Sequence, residues 1–353
     1  MASPASAAVA PPPVGRARMR GMTPVDLVLV GPAGATAVHR AAAELVAPTI
    51  RPVDLGADPS GPVDEDEDDG NGTPRPAAAL VAGPLDDPVT TARQTTAILR
   101  ARTAGADPTP PPVVGLTPPV SRLPSTTRAT FDALGDTATA LAVLPVLHAP
   151  AVRRAVDAAS RLSVVHHVSV TVRLPSPGPD EGTDSPVDRA ATVDAAVSAA
   201  LAVALAVVRA PVDAVTAHRE DGDAVCVLGA AGTPAARVVV GPGDAVLALE
   251  LEVADAAGMV RLELDESARL LLDGRPAHLG PPAPTPLHAW GHVAQLERLA
   301  RVAQGTSTPW PPVATAGDVT RLALAADWSV STGRRVATAE VPPDEEPPGR
   351  LLA

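Results

Sequence analysis

The segment VDLVLVGPAGATAVHRAAAELV, residues 25–46, contains the first strand and helix patterns of the chain. Its first six residues, Val25–Val30, form a short apolar run rich in β-branched side chains, which predicts a buried strand. Gly31 ends this run, and an alanine-rich helical pattern follows over residues 39–46. A strand, a glycine turn and a helix in this order form the opening unit of a dinucleotide-binding domain.

The alternation of strand and helix patterns continues to about residue 160. Further predicted strands lie at residues 50–55, 77–82, 113–116 and 140–144. Predicted helices follow the last three of them, at residues 89–102, 125–134 and 149–160. Strands that alternate with helices predict a parallel, doubly wound sheet, because a crossover helix must join parallel neighbours.

The pattern changes after residue 160. A strand pattern at residues 164–173 and a long apolar helix at 192–208 precede several strands on short glycine turns, and helices at 288–303 and 317–332 close the chain. Consecutive strands on short turns predict an antiparallel sheet. The fold class is therefore α/β, with an N-terminal Rossmann-like doubly wound parallel sheet and a C-terminal α+β domain with a mostly antiparallel sheet.

The predicted boundaries divide the chain into four parts. Residues 1–22 and 341–353 are rich in proline and are predicted to be disordered tails. Residues 23–160 form a degenerate dinucleotide-binding domain, and residues 161–340 form the domain for the substrate and for oligomerisation.

Composition excludes several classes of function. The net charge of −12 repels phosphate backbones, so we expect no nucleic-acid partner. The sequence contains no lysine, so all 28 basic residues are arginines and lysine chemistry is absent. The single cysteine, Cys226, rules out an intramolecular disulfide and fits the cytoplasm. The apolar run at residues 190–208 contains Asp194, which favours a buried helix over a membrane span.

Two long segments resemble one enzyme family. They are VLPVLHAPAVRRAVDAASRLSVVHHVSVTVR (residues 143–173) and LHAWGHVAQLERLARVAQGTSTPWPPVATAGDVTRLALAADWSVSTGRRV (residues 287–336). Both are similar to segments of the glucose–fructose oxidoreductase, inositol dehydrogenase and MocA (Gfo/Idh/MocA) family. The resemblance implies a two-domain oxidoreductase that uses NAD or NADP, acts on a small molecule such as a sugar or polyol, and forms a homodimer or homotetramer.

The family's phosphate loop is only partly kept in this sequence. The segment GPAGATAVH aligns Gly31, Ala33, Thr36 and His39 with the family's Gly-x-Gly-x-x-Gly/Ala/Ser-x-x-His pattern. Ala33 puts a Cβ where the second glycine lets the backbone approach the pyrophosphate, and Gly34 compensates if the turn shifts by one residue. The resemblance therefore implies cofactor binding that is weak or absent.

Two further positions belong to the implied cofactor site. Asp54 closes the second predicted strand, 23 residues after Gly31, where a ribose-binding carboxylate belongs. An ordinary acidic residue at the end of a strand is the alternative. Pro84 matches the proline that follows the third strand in the family, although Pro88 stands where the family has a histidine.

The catalytic positions have changed more than the cofactor positions. The family's Glu-Lys-Pro motif is here Leu116, Thr117 and Pro118, and its Asp-x-x-x-His motif keeps Asp194 but has Ser198 in place of the histidine. Hydroxyls do not accept protons near pH 7, and the loss of one such acid–base group costs about 10²–10⁴ in rate. The resemblance thus implies weak or absent sugar or polyol dehydrogenase activity. The alternative is a non-catalytic protein that binds a nucleotide, a metabolite or another protein.

Two histidines have a spacing that is compatible with metal binding. His288 and His292 stand four residues apart on the predicted helix 288–303, which is a competent spacing for a metal ion. No acidic or cysteine partner lies near them in sequence, so ordinary histidines on a helix face are favoured and no metal is expected.

Overall fold

A computed structural model describes residues 24–31, 33–47, 49–53, 76–82, 87–103, 111–175, 186–208, 210–243 and 246–352. The predicted tail at residues 1–22, and the candidate residues Asp54 and Pro84, lie outside these ranges.

The first domain is built on a sheet of five parallel strands. These are β1 (Val25–Val30), β2 (Ile50–Val53), β3 (Ala77–Val81), β4 (Val113–Leu116) and β5 (Thr139–Ala142). Their spatial order is β2-β1-β3-β4-β5, so the strand order reverses between β1 and β3. Its helices are α1 (Ala33–Val46), α2 (Pro88–Thr103), α3 (Pro124–Leu134) and α4 (Pro150–Ala159).

The central strands of this sheet are covered on both faces and consist of small aliphatic residues. Every residue of β3 and of β4 is buried, and both strands consist of alanine, valine, leucine and glycine. A strand buried on both faces reads as a continuous apolar run without alternation, which is the pattern of these two segments. The predicted parallel, doubly wound sheet is therefore confirmed.

The second sheet has nine strands among the described residues. They are β6 (His167–Leu174), β7 (Ala214–Glu220), β8 (Asp223–Ala230), β9 (Thr233–Pro242), β10 (Ala248–Ala254), β11 (Met259–Leu264), β12 (Ala268–Leu272), β13 (Arg275–Pro276) and β14 (Val336–Ala337). The order is β13-β12-β11-β10-β6-β9-β8-β7-β14, and every pair is antiparallel except β6 with β9. The predicted α+β domain with a mostly antiparallel sheet is confirmed.

One face of the second sheet is covered by the long helix α5 (Pro186–Val207), which packs on β6 and β9. Alternate residues of the strands point toward this layer: Val168, Val170 and Val172 of β6 are buried, and Ser169 and Thr171 between them are less so. Among the described residues, no helix combines the length and the apolar character that crossing a bilayer requires.

The predicted helix at residues 288–303 is wrong in one respect, because it is broken into α6 (Pro286–Ala289) and α7 (His292–Ala303). Gly291 between them has φ 83°, and a Cβ there would collide with the Pro145 carbonyl oxygen. Only glycine allows this close approach. The break lets α7 pack on the parallel sheet, where Leu296 and Leu299 are buried.

The last helix, α8 (Val313–Thr332), leads into a C-terminal segment that is packed, although the sequence predicts a disordered tail over residues 341–353. Leu351 is only 3 % exposed, and its amide donates to the carboxylate of Asp327 on α8. The Arg219 side chain donates to the carbonyls of Arg350 and Leu351. Proline-rich composition argues against helix and strand, but it does not prevent a segment from docking through one buried leucine and its backbone groups.

Candidate functional site

A cavity of about 520 Å³ opens at the carboxyl ends of the parallel strands. Ala82, Thr117 and Val143, the residues just after β3, β4 and β5, lie on its wall, and α1, α5 and residues 290–292 complete it. Ligands of open α/β sheets bind at this edge, near the point where the strand order reverses. The volume also lies within the range of small-molecule pockets.

Gly31 makes the turn from β1 toward α1 at the point where the strand order reverses. Its φ of 137° is accessible to glycine alone, and a Cβ there would collide with the Ala82 carbonyl oxygen. The helix α1 begins at Ala33 and has Gly34 in its first turn, while Thr36 is buried on the same helix. The start of α1 thus follows the carboxyl end of β1, and backbone amides at a helix start favour a phosphate group.

The three residues predicted at the catalytic positions line the same cavity. Thr117 follows β4, and Asp194 and Ser198 stand one turn apart on α5. The Thr117 and Ser198 hydroxyl oxygens are buried and have no hydrogen-bond partner among the described residues. The structure therefore brings together residues that lie about 80 positions apart in sequence, while their catalytic roles stay predictions.

Asp194 has an electrostatic partner that no local sequence pattern predicts. Its Oδ2 lies 3.5 Å from Nη1 of Arg350, which belongs to the packed C-terminal segment. Burial raises the pKa of the Asp194 carboxyl, and the charges of Arg350 and Arg122 oppose this rise. The same Oδ2 accepts no hydrogen bond from the part of the chain that the structure describes, so it can accept one from a ligand.

Two histidines, His39 and His292, also line the cavity. The rings of His39 on α1 and His292 at the start of α7 meet edge to face, with centroids 5.6 Å apart. Burial lowers the pKa of His39 to about 3, with a contribution from His292, and lowers the pKa of His292 to about 4. Both imidazoles are neutral at pH 7, and no described residue forms a hydrogen bond with the buried Nδ1 of His292.

His288, by contrast, lies away from this pair. The break at Gly291 takes it off the helix that carries His292, and its Nδ1 lies 2.8 Å from the Thr285 hydroxyl. The described residues contain no group of three side chains that would hold a metal ion. Sequence reasoning placed neither His39 nor His292 in the site, although the position of His39 at the end of the phosphate-loop pattern was a usable signal.

The chemistry of the wall is therefore hydrogen bonding at a few points in apolar surroundings. In the part of the chain that the structure describes, Asp194 Oδ2 has an ion pair with Arg350 but no hydrogen bond. Asp194 is one of four lining residues that carry a buried polar atom without a hydrogen-bond partner there: Thr117, Asp194, Ser198 and His292. Asp194 is the one charged side chain among the described lining residues. Buried polar atoms normally form hydrogen bonds. Four such atoms without a hydrogen bond in one cavity therefore indicate a polar ligand.

The buried His39 predicts a loss of stability in mild acid. Its folded pKa of about 3 lies below the unfolded value of 6.5, so the unfolded state binds the extra proton. Stability is complete above pH 6.5 and falls as the pH decreases, by about 2 kcal/mol at pH 5. In urea unfolding, we expect the wild type to lose about 2 kcal/mol more between pH 7 and pH 5 than His39→Gln. The exposed His218→Gln serves as the control, and equal losses in all three proteins would contradict the assignment.

Comparisons with known proteins agree on the fold. No protein-family model and no curated protein matches the sequence. Among solved structures, GenD2 from gentamicin A biosynthesis in complex with NAD superposes with a TM-score of 0.62 at 17% identity, over 89% of this chain and 96% of that one. A putative myo-inositol dehydrogenase from Sinorhizobium meliloti 1021 gives 0.60 at 16% identity, over 89% and 99%.

A third neighbour is levoglucosan dehydrogenase in complex with NADH and L-sorbose, with a TM-score of 0.63 at 12% identity, over 90% of this chain and 99% of that one. At these identities the likeness establishes the architecture, and it agrees with the resemblance of residues 143–173 and 287–336. The chain therefore has the two-domain fold of the inositol dehydrogenase type of oxidoreductase.

Proposed function

We propose that this chain is an oxidoreductase-type protein that binds NAD or NADP together with a small polar molecule in its large cavity. We further propose that its sugar or polyol dehydrogenase activity is weak or absent. The observation that carries the proposal is the position of four buried polar atoms that accept or donate no hydrogen bond among the described residues, in a cavity at the carboxyl edge of a parallel sheet.

The described residues fit the two ends of a dinucleotide. The Gly31 turn and the start of α1 would hold the pyrophosphate, because the turn brings the backbone close and the helix start favours negative charge. Thr117, Asp194 and Ser198 would face the nicotinamide end. When bound, the nicotinamide supplies hydride exchange with a substrate carbon. Neighbouring structures contain NAD in GenD2 and NADH in levoglucosan dehydrogenase, which supports this choice of cofactor.

The residues of the cavity handle protons poorly. Oxidation of an alcohol requires a group that takes the hydroxyl proton, and the Thr117 and Ser198 hydroxyls do not accept one near pH 7. His39 and His292 have pKa values of about 3 and about 4, which makes them weak bases. The hydroxyls and the Asp194 carboxylate can orient a ligand by hydrogen bonds. The cavity is therefore better suited to binding a ligand than to transferring a proton.

Titration calorimetry with NAD⁺, NADH, NADP⁺ and NADPH tests the binding. We expect at least one of them to bind saturably, with a Kd below about 1 mM. Ala35→Trp should abolish binding because Ala35 lines the cavity, while Ala37→Trp on the exposed face of α1 should leave it unchanged. If the wild type binds none of the four cofactors, the proposal fails.

The second candidate is a non-catalytic binding protein with the same fold. It is favoured by the absence of any lysine or arginine from the described cavity wall, since no cation is available to polarise a substrate oxygen. Cofactor binding without detectable turnover of any sugar or polyol would favour this candidate. Turnover with a wild-type rate that falls in Asp194→Asn would favour an enzyme with a remodelled site.

We also propose that the chain forms a homodimer or homotetramer. The face of the nine-stranded sheet away from α5 carries alternating side chains such as Thr171, Arg237 and Glu250, and the helices that pack on this sheet do not cover them. Light scattering coupled to size-exclusion chromatography should give two or four subunits. A single subunit at micromolar concentration would contradict the proposal.

A further inference from the structure

A second cleft, of about 420 Å³, lies between α4, α7 and the end of α5. It shares no lining residue with the large cavity, so its function is independent of the one proposed above. Its apolar wall is formed by Leu147, Val152, Val156 and the ring of Trp310.

Three arginines line this cleft: Arg153 on α4, and Arg298 and Arg301 one turn apart on α7. In the described part of the chain, none of their guanidinium groups has a carboxylate within ion-pair distance. The Nε atoms of Arg298 and Arg301 are buried without a partner, although Nη2 of Arg298 donates to the Thr308 carbonyl at 2.9 Å. Three unpaired cations in one cleft are notable in a chain with a net charge of −12.

A buried histidine stands at the same place. His148 is 6 % exposed, its ring meets the Trp310 ring edge to face at 4.9 Å, and its Nε2 is buried without a hydrogen-bond partner. Burial and, to a smaller extent, the charges of Arg153, Arg298 and Arg301 together lower the pKa of His148 to about 3. These charges therefore act at the imidazole, which stays neutral and can donate one hydrogen bond from Nε2.

The positive charges of the three arginines favour binding of an anion in this cleft. Guanidinium groups that share a cleft repel one another, and an anion between them removes that cost. Arginine forks match the planar or tetrahedral oxygens of carboxylates and phosphates. The one acidic side chain on the wall is Asp157, so the cleft keeps an excess of positive charge.

We propose that this cleft is a binding site for a small molecule with a phosphate or carboxylate group. The oxyanion lies against Arg153, Arg298, Arg301 and the Nε2 of His148, and the rest of the ligand lies against the apolar wall.

Calorimetry on the full chain at low ionic strength tests the site, with inorganic pyrophosphate and succinate as separate probes. We expect saturable binding of at least one probe, weakened about tenfold or more in Arg153→Gln/Arg301→Gln, because charge-assisted hydrogen bonds are lost. Arg298 is left intact because it also holds the Thr308 carbonyl. The control Arg128→Gln/Arg321→Gln removes two exposed charges and should bind as the wild type does.

The pattern of results identifies the oxyanion and the site. Binding of pyrophosphate alone indicates a phosphate ligand, and binding of succinate alone indicates a carboxylate ligand. A shift of the His148 Nε2 resonance on addition of the probe gives a second readout that does not depend on a variant. The proposal is overturned if neither probe binds saturably up to about 10 mM. It is equally overturned if binding persists in Arg153→Gln/Arg301→Gln and disappears in Ala35→Trp, which would place the probe in the large cavity.

Discussion

The double variant Thr117→Lys/Ser198→His is expected to oxidise polyols at least about 10²-fold faster than the wild type, because each added acid–base group contributes about 10²–10⁴ in rate. Both positions line the large cavity, and neither hydroxyl has a hydrogen-bond partner that the substitution would remove. The ammonium would polarise the substrate oxygen, and the imidazole would take its proton.

The measurement is the initial rate of nicotinamide reduction with a panel of sugars and polyols, for the wild type and the variant. Thr117→Met/Ser198→Gln is the matched control, since it adds similar volume without a proton-handling group. Equal rates in the wild type and in Thr117→Lys/Ser198→His, with both proteins folded and binding cofactor, would show that these positions do not limit turnover.

Asp327→Ala is expected to destabilise the chain by about 3–5 kcal/mol, the usual cost of removing one partner of a buried ion pair. Asp327 is 7 % exposed, and its Oδ2 lies 3.2 Å from Nη2 of Arg122. Its other oxygen accepts the Leu351 amide, which ties the C-terminal segment to α8. The substitution removes the buried partner of the partly buried Arg122 guanidinium, whose other carboxylate neighbour, the exposed Glu346, lies 4.0 Å away. It also frees the segment that carries Arg350 to Asp194.

Urea unfolding at pH 7.5 measures this loss, above the pKa of about 6 to which burial raises Asp327. Asp318→Ala on the same helix is the control, because its pair with Arg321 is exposed and contributes less than about 1 kcal/mol. A change below about 1 kcal/mol for Asp327→Ala would mean that the packed C-terminal segment adds little to stability.

The regular elements were readable from the sequence because their patterns are local. The strand at residues 113–116 was predicted at its observed bounds. All four residues are apolar and buried, so the ends of the apolar run mark the ends of the strand. The strand at 259–264 was also predicted as observed, from apolar residues in alternation between two turns. The change near residue 160, from strands that alternate with helices to consecutive strands on short turns, predicted how the two sheets follow each other.

The features that the sequence did not reveal depend on contacts between distant residues. The break at Gly291 is set by the approach of the backbone at Pro145, about 150 residues away. The docking of Leu351 depends on Asp327 and Arg219, whose positions no local pattern predicts. The contact of His39 with His292 on the wall of the large cavity likewise exists only once α7 packs on α1.

The candidate site was predicted in part. Thr117, Asp194 and Ser198 were chosen from their place in family motifs, and they do share one cavity. The imidazole pair and the Arg350 partner of Asp194 were missed because each joins segments that lie far apart in sequence. Asp54 and Pro84 lie outside the described residues, so their predicted contacts with a cofactor stay predictions.

A crystal structure of the chain grown with NADH tests directly whether a dinucleotide binds at the carboxyl edge of the parallel sheet. We predict electron density for the dinucleotide across the edge where β1 and β3 end, with the pyrophosphate at Gly31 and the nicotinamide beside Thr117, Asp194 and Ser198. The proposed cofactor site would be contradicted if protein side chains fill the crevice above residues 31–36 and the dinucleotide binds elsewhere or not at all.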